Sequence, residues 1–206
     1  MVDVQKLTPA ERDALREVAN IGAGHAATAL SQMTGRKIMI DVPEVSIRPL
    51  EEAADLVGPA DGIIAAVLMH MMGDLTGRTL LVLPEKAAKG LCQILLRRPE
   101  APDGFGDMER STIMETGNIL CSAYLNALSD FMGMMLLPSV PALVIDQAGA
   151  VLTTAYLNFG HARDHVICVE TSFRFEGVTD LFRGQFILMP DVVSLTAIFD
   201  AIHLPR

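Results

Sequence analysis

Three features of the 206-residue chain predict an α+β fold of two pseudo-symmetric αβ(3)α repeats sharing one antiparallel sheet, with long helices packed on it. The first is internal repetition. Residues 16–35 (REVANIGAGHAATALSQMTG) overlay residues 114–133 (METGNILCSAYLNALSDFMG) at an offset of 98. Glu17 falls on Glu115, Asn20 on Asn118, Ile21 on Ile119, Ser31 on Ser129, Gly35 on Gly133 and Pro43 on Pro141. The second is a weaker match around Pro84 (LLVLPEKAAKGL) and Pro190 (QFILMPDVVSLT) at an offset of 106, which predicts eight extra residues in one loop of the second half. The third is the change of apolar period within each half, from helix-like to strand-like and back.

The first helix has a marked start. Thr8 can be the N-cap, Pro9 suits the first helical position and Glu11 can close a capping box. The helix should run to about Met33 and stop near Gly35. Residues 37–40 and 44–50 read as strands around Pro43, and residues 62–72 as a strand buried on both faces. The run 73–77 (GDLTG) is a hairpin turn, with 78–83 returning and a helix over 84–97. Residues 98–106, with two prolines and two glycines, are the expected linker between repeat one (8–98) and repeat two (107–206) of a single domain. The second half then gives a helix over about 107–132, a strand near 143–145, and strands 165–175 and 181–188 joined at Glu176-Gly177. A closing helix covers 191–203. About three strands per half, joined by hairpins, imply antiparallel pairing in a two-layer domain.

Composition narrows the function. Half the residues are apolar, so a sizeable core can form. The longest unbroken apolar run, from Ile63 to Met69, has seven residues, whereas a membrane span needs about 20. No secretory signal opens the chain, so a cytoplasmic location is expected. With 25 acidic against 16 basic residues, the net charge of −9 argues against nucleic acid and anionic lipid as main partners. The three cysteines, Cys92, Cys121 and Cys168, are far apart and read as buried thiols. The five histidines form no metal-ligand pattern, and the GxG of Asn20-Ile21-Gly22-Ala23-Gly24 lies inside a helix, where no dinucleotide fingerprint belongs.

At 100° per residue, Asp13, Glu17, Asn20 and Gly24 fall on one helical stripe within about 40°, away from the apolar positions. Ser111, Glu115, Asn118 and Ser122 reproduce it on the second long helix. Fold duplication explains matching core positions. It does not require the same outward Glu and Asn, or the same downstream proline, in halves that have otherwise diverged.

The pattern Asp/Ser-x-x-x-Glu-x-x-Asn, 22 residues, then Pro occurs twice, as Asp13-Glu17-Asn20-Pro43 and Ser111-Glu115-Asn118-Pro141. It resembles the signature of the CheC/CheX/FliY phosphatases of chemotaxis. NIGAGHAATALS and GNILCSAYLNALS are similar to the family's two helix copies, and two copies match the CheC branch rather than the single-copy CheX. Ala19 and His25 depart from the usual Gly and Asn, and Leu120 and Ser122 replace the glycines of the first copy, which predicts a less open second site. The resemblance implies a hydrolase acting on the phosphoaspartate of the response regulator CheY. Asn20 and Asn118 would position water, Glu17 and Glu115 would contact a lysine of the regulator, and Asp13 and Ser111 would support them. It implies no cofactor on this chain, Mg²⁺ being carried by the regulator, and a second partner, the receptor deamidase CheD, docking through Asp146. The alternatives are a non-catalytic regulator-binding module of the flagellar switch, as in FliM or FliY, and a CheD-regulating adaptor.

Overall fold

The computed structural model describes residues 8–42, 44–159 and 165–203; Pro43 and His161 lie outside them. Helix α1 (Pro9–Thr34) starts as expected. The Thr8 hydroxyl accepts the Glu11 N–H and the Glu11 carboxylate accepts the Thr8 N–H at 2.7 Å. It ends at Gly35 in the left-handed region (φ 66°), and its counterpart α4 (Asp107–Met132) ends the same way at Gly133. The repeated serines act at these exits: the Ser31 hydroxyl accepts the Ile38 N–H at 2.9 Å, and Ser129 donates to the Met134 carbonyl.

After α1 come β1 (Ile38–Asp41), β2 (Val45–Pro49), a short helix α2 (Leu50–Ala53) with a 3₁₀ turn (Ala54–Leu56), β3 (Ile63–Gly73), β4 (Gly77–Pro84) and α3 (Glu85–Leu95). After α4 the order repeats: β5 (Leu136–Pro138), β6 (Ala142–Gln147), α5 (Ala148–Phe159), β7 (His165–Phe175), β8 (Phe182–Pro190) and α6 (Val192–His203). Each half thus carries four strands rather than three. The three-residue β5 and helix α5 were not expected from the sequence.

The eight strands form one antiparallel sheet in which β7, β8, β4 and β3 are central. Strands β1 and β2 both pair with β7, and β5 and β6 both pair with β3. Each half therefore gives its first two strands to the hairpin of the other.

The registers obey a pseudo-two-fold axis through the Leu81–Phe186 pair. Ile38 opposite Phe175 corresponds to Leu136 opposite Gly73, and Ala65 opposite Leu83 corresponds to Ile167 opposite Leu188. The offset between halves therefore climbs from 98 at β1 to 102 at β3 and 105 at β4. It reaches 107 at the last helices, where Ala88, Leu91 and Cys92 match Leu195, Ile198 and Phe199. The offset of 106 read from the two prolines is incorrect. It would place Leu83, which faces the long helices, on Met189, which faces the other side; an error of one residue exchanges the faces of a strand. The extra residues are spread over three connections instead of one loop.

Helices α1, α3, α4 and α6 cover one sheet face and form the main core with Leu81, Leu83, Phe173 and Phe186. A smaller core on the opposite face joins Ile64, Ala66, Leu80 and Ile187 to Val151 and Leu152 of α5 and to Ala53 and Val57. The expected two layers are thus three. The continuous burial of Ile64–Val67 in β3 reflects this double cover.

Candidate functional site: a repeated Glu–Asn stripe on paired helices

Helices α1 and α4 lie side by side on the main sheet face. The pseudo-symmetry axis is perpendicular to the sheet and exchanges them, so they run antiparallel. Their closest approach is at Gly22, where a Cβ would lie 2.5 Å from the Tyr124 ring and 3.0 Å from its Cα. Tyr124 is held on its far side by a hydrogen bond between its hydroxyl and that of Thr171 (3.1 Å) and by its ring against Phe186 (centroids 4.6 Å apart). This contact puts the crossing level with Gly24 and Ser122, and the two stripes point away from the sheet on either side of it.

Asp13, Glu17, Asn20 and Gly24 are exposed, and so are Ser111 and Glu115; Asn118 and Ser122 are half-buried. Apolar neighbours in the same turns, Leu15, Val18, Ala19 and Ala23 in α1 and Ile113, Leu120 and Cys121 in α4, are buried. The helical period thus separates the two sets as the sequence predicts. Nothing lies within 4 Å of a Cβ built on Gly24, so that end of the stripe is open. The second asparagine is the less exposed of the two, but Leu120 is not the cause: its side chain is fully buried in the core. His25 is exposed.

Among the described residues, no ion pair or hydrogen bond engages the side chains of Glu17, Asn20, Glu115 or Asn118. Two carboxylates and two carboxamides are thus presented with their hydrogen-bonding capacity free. A carboxamide can accept a proton with its oxygen while donating from its nitrogen, and it carries no charge. A carboxylate one turn away can form a charge-assisted contact with a cation.

Asp146 lies elsewhere. It is exposed on β6, opposite Ile64, and accepts the Gln147 N–H at 2.7 Å. Among the described residues, no group of three or more His, Cys, Asp or Glu is placed to hold a metal ion, and no helix is long and apolar enough to cross a membrane. Cys92, Cys121 and Cys168 are free and buried, and burial pushes each thiol up to about 12. A cleft of about 360 Å³ on the opposite sheet face, lined by Asp55, Glu170, Arg183 and Gln185 among others, was not foreseen from the sequence. Its residues come from four separate segments with no common spacing.

Comparison with known proteins agrees with the duplicated architecture. The profile of the CheC-like family matches residues 11–47 and 108–145, the two segments that carry the stripes. The CheY-P phosphatase CheC of Bacillus subtilis is 34% identical over 195 residues, 93% of each chain. Among solved structures, FliY of Thermotoga maritima superposes with a TM-score of 0.80 at 22% identity, covering 98% of both chains. The FliM middle domain of Vibrio alginolyticus superposes at 0.63 and 15% identity, covering 91% of this chain and 99% of its own. These two likenesses are of fold. The identity to CheC extends over nearly the full length and includes both helix-and-strand copies, and on that ground the chain belongs to the CheC-like family.

Proposed function

We propose that the chain is a phosphatase of the phosphorylated response regulator CheY, and that Asn20 and Asn118 each position the attacking water. The observation that carries this reading is the pair of Glu–Asn stripes on two helices packed against one sheet, with no side-chain partner among the described residues. The B. subtilis relative's name supports the substrate. An aspartyl phosphate is already a reactive mixed anhydride, so no covalent intermediate on the enzyme is needed. What remains is to align a water with the phosphorus and remove the entropic cost of doing so. The amide oxygen of Asn20 or Asn118 can hold that water without adding negative charge beside the phosphoryl oxygens. Glu17 and Glu115 then fix the register through a cation of the regulator, with Asp13 and Ser111 flanking them. Mg²⁺ belongs to the regulator in this scheme.

The test is the lifetime of the phosphorylated regulator. Asn20→Ala and Asn118→Ala should each cost on the order of 10²-fold at their own site, and the double variant should abolish acceleration with the fold retained. A double variant as fast as the unmodified protein would refute the assignment. The alternative, a regulator-binding module without catalysis, draws on the FliM likeness; it predicts binding with no shortening of the phosphoregulator's lifetime. We further propose CheD as a second partner, docked at Asp146 on the edge strand β6. Charge reversal by Asp146→Lys should then abolish CheD capture, and undiminished capture would count against that contact.

A further inference from the structure

The two copies of the stripe differ in the charge that stands beside the asparagine. Arg16 is exposed on α1, one turn before Asn20 and about 40° to one side of it, while Glu17 lies about 60° to the other side. Side chains on a helix lean toward its N-terminus, so the Asn20 amide sits over the turn that carries both charges. The arginine side chain is longer than the asparagine's, and its guanidinium can extend past the amide toward the group the amide faces. Packing and local charge do not account for an arginine here. Among the described residues no hydrogen bond or ion pair engages its side chain, and Asp13, three residues earlier, does not pair with it. Arg12, four residues earlier, carries the same charge, and like charges at that spacing destabilise a helix. In the second copy the position is taken by Met114, which is half-buried, so the helix pair does not require a cation there. Within one turn, the Asn20 amide is thus flanked by a cation and an anion, and the Asn118 amide by an anion alone.

We infer that Arg16 is a further catalytic residue of the first site, its guanidinium contacting the phosphoryl oxygens while Asn20 holds the water. This rests on the phosphatase reading and deepens it. In the hydrolysis, the water oxygen bonds to phosphorus and the bond from phosphorus to the aspartyl oxygen breaks. The electron pair of that bond passes to the carboxylate, and both water protons leave on the phosphate. In the transition state negative charge is spread over three phosphoryl oxygens, and a guanidinium can donate to two of them at once. A contact of this kind stabilises the transition state more than the bound substrate, so it acts on kcat and not on KM alone. The second site carries out the same reaction without that charge.

The experiment uses the full chain carrying Asn118→Ala, which leaves the first site as the working one, and measures regulator dephosphorylation as a function of regulator concentration. Adding Arg16→Met, the side chain of the second copy, should lower kcat about tenfold, less than the loss of an enclosed donor because Arg16 stands in solvent. Arg16→Lys keeps the charge without the planar fork and should lose about threefold at most. Arg16 is exposed, and an unchanged urea midpoint checks that both variants are folded. In the reciprocal chain, Asn20→Ala with Met114→Arg, the second site should gain kcat, since the arginine stem can cover the apolar surface that the methionine covers. An unchanged kcat in Arg16→Met, a lysine variant as slow as the methionine one, or no gain at the second site would overturn the catalytic role. If the Asn118→Ala parent and the unmodified protein both fail to accelerate dephosphorylation, it is the phosphatase reading that falls.

Discussion

Gly22 and Gly24 sit two residues apart in α1, and replacing each by alanine should move stability in opposite directions. Both changes carry the same gain in helix propensity, about 1 kcal/mol. At Gly24 that is the whole effect, because an added Cβ meets nothing within 4 Å. At Gly22 the methyl would lie 2.5 Å from the Tyr124 ring and 3.0 Å from its Cα. The ring has little freedom to retreat, with Thr171 bound to its hydroxyl and Phe186 against its face. The contact with Cα also means that the backbones of the two helices must separate. Overpacking of this kind costs about 1–3 kcal/mol, which more than offsets the propensity gain. Gly24→Ala should therefore be more stable than the unmodified protein by up to about 1 kcal/mol, and Gly22→Ala less stable by about 1 kcal/mol. Urea denaturation with a common m-value measures both. The difference between the two variants, about 2 kcal/mol, cancels propensity and isolates the helix crossing. Equal stabilisation by both substitutions would refute the tight α1–α4 contact, and with it the placement of the two stripes relative to each other.

Two further predictions concern the joints of the fold. The Glu109 carboxylate is buried at the start of α4 and paired with Arg98 of the linker; Arg98→Ala should cost about 2 kcal/mol, below the usual range for stranding a buried charge because the guanidinium is 40% exposed. Adding Glu109→Gln should recover much of that loss in urea denaturation, and no recovery would contradict the pairing. At the start of α6, partial burial opposes ionisation of Asp191, but hydrogen bonds from the Thr76 hydroxyl and the Ser194 N–H outweigh it and hold the carboxyl below its ordinary value. The resulting stabilisation is present above about pH 4 and is lost as pH falls through the folded-state value. Asp191→Ala should cost about 1 kcal/mol at pH 7, and the gap should close as pH falls through the folded-state value; a gap independent of pH would rule out the charged cap.

The long helices were legible because local chemistry marks their ends: a capping box at Thr8 and Glu11, left-handed glycines at Gly35 and Gly133. The stripes were legible because the helical period separates Glu17 and Asn20 from Leu15 and Val18. The less open second site was legible too, although Leu120, one of the two residues that suggested it, is buried in the core and does not cause it. Helix α5 was missed because AGAVLTTAYLNF carries no cap and is rich in Val, Thr and aromatic residues that also suit a strand. β5 spans three residues and ends at Pro138. The repeat offset between β4 and β8 was misread because two prolines coincided by chance at an even offset, whereas pairing across the axis requires an odd one. Which strand pairs with which is decided by contacts far apart in sequence, and no local pattern records the crossing of β1 and β2 to β7.

That crossing makes the two halves a clasp. Cut at the linker, neither segment would keep a complete four-strand unit of its own, because the outer strands it needs belong to the other segment. Melting one half strips the flank from its twin, so the two working faces stand or fall together. A mutation that loosens the N-terminal copy cannot spare the C-terminal one, and two copies of the stripe in one chain provide no insurance against misfolding.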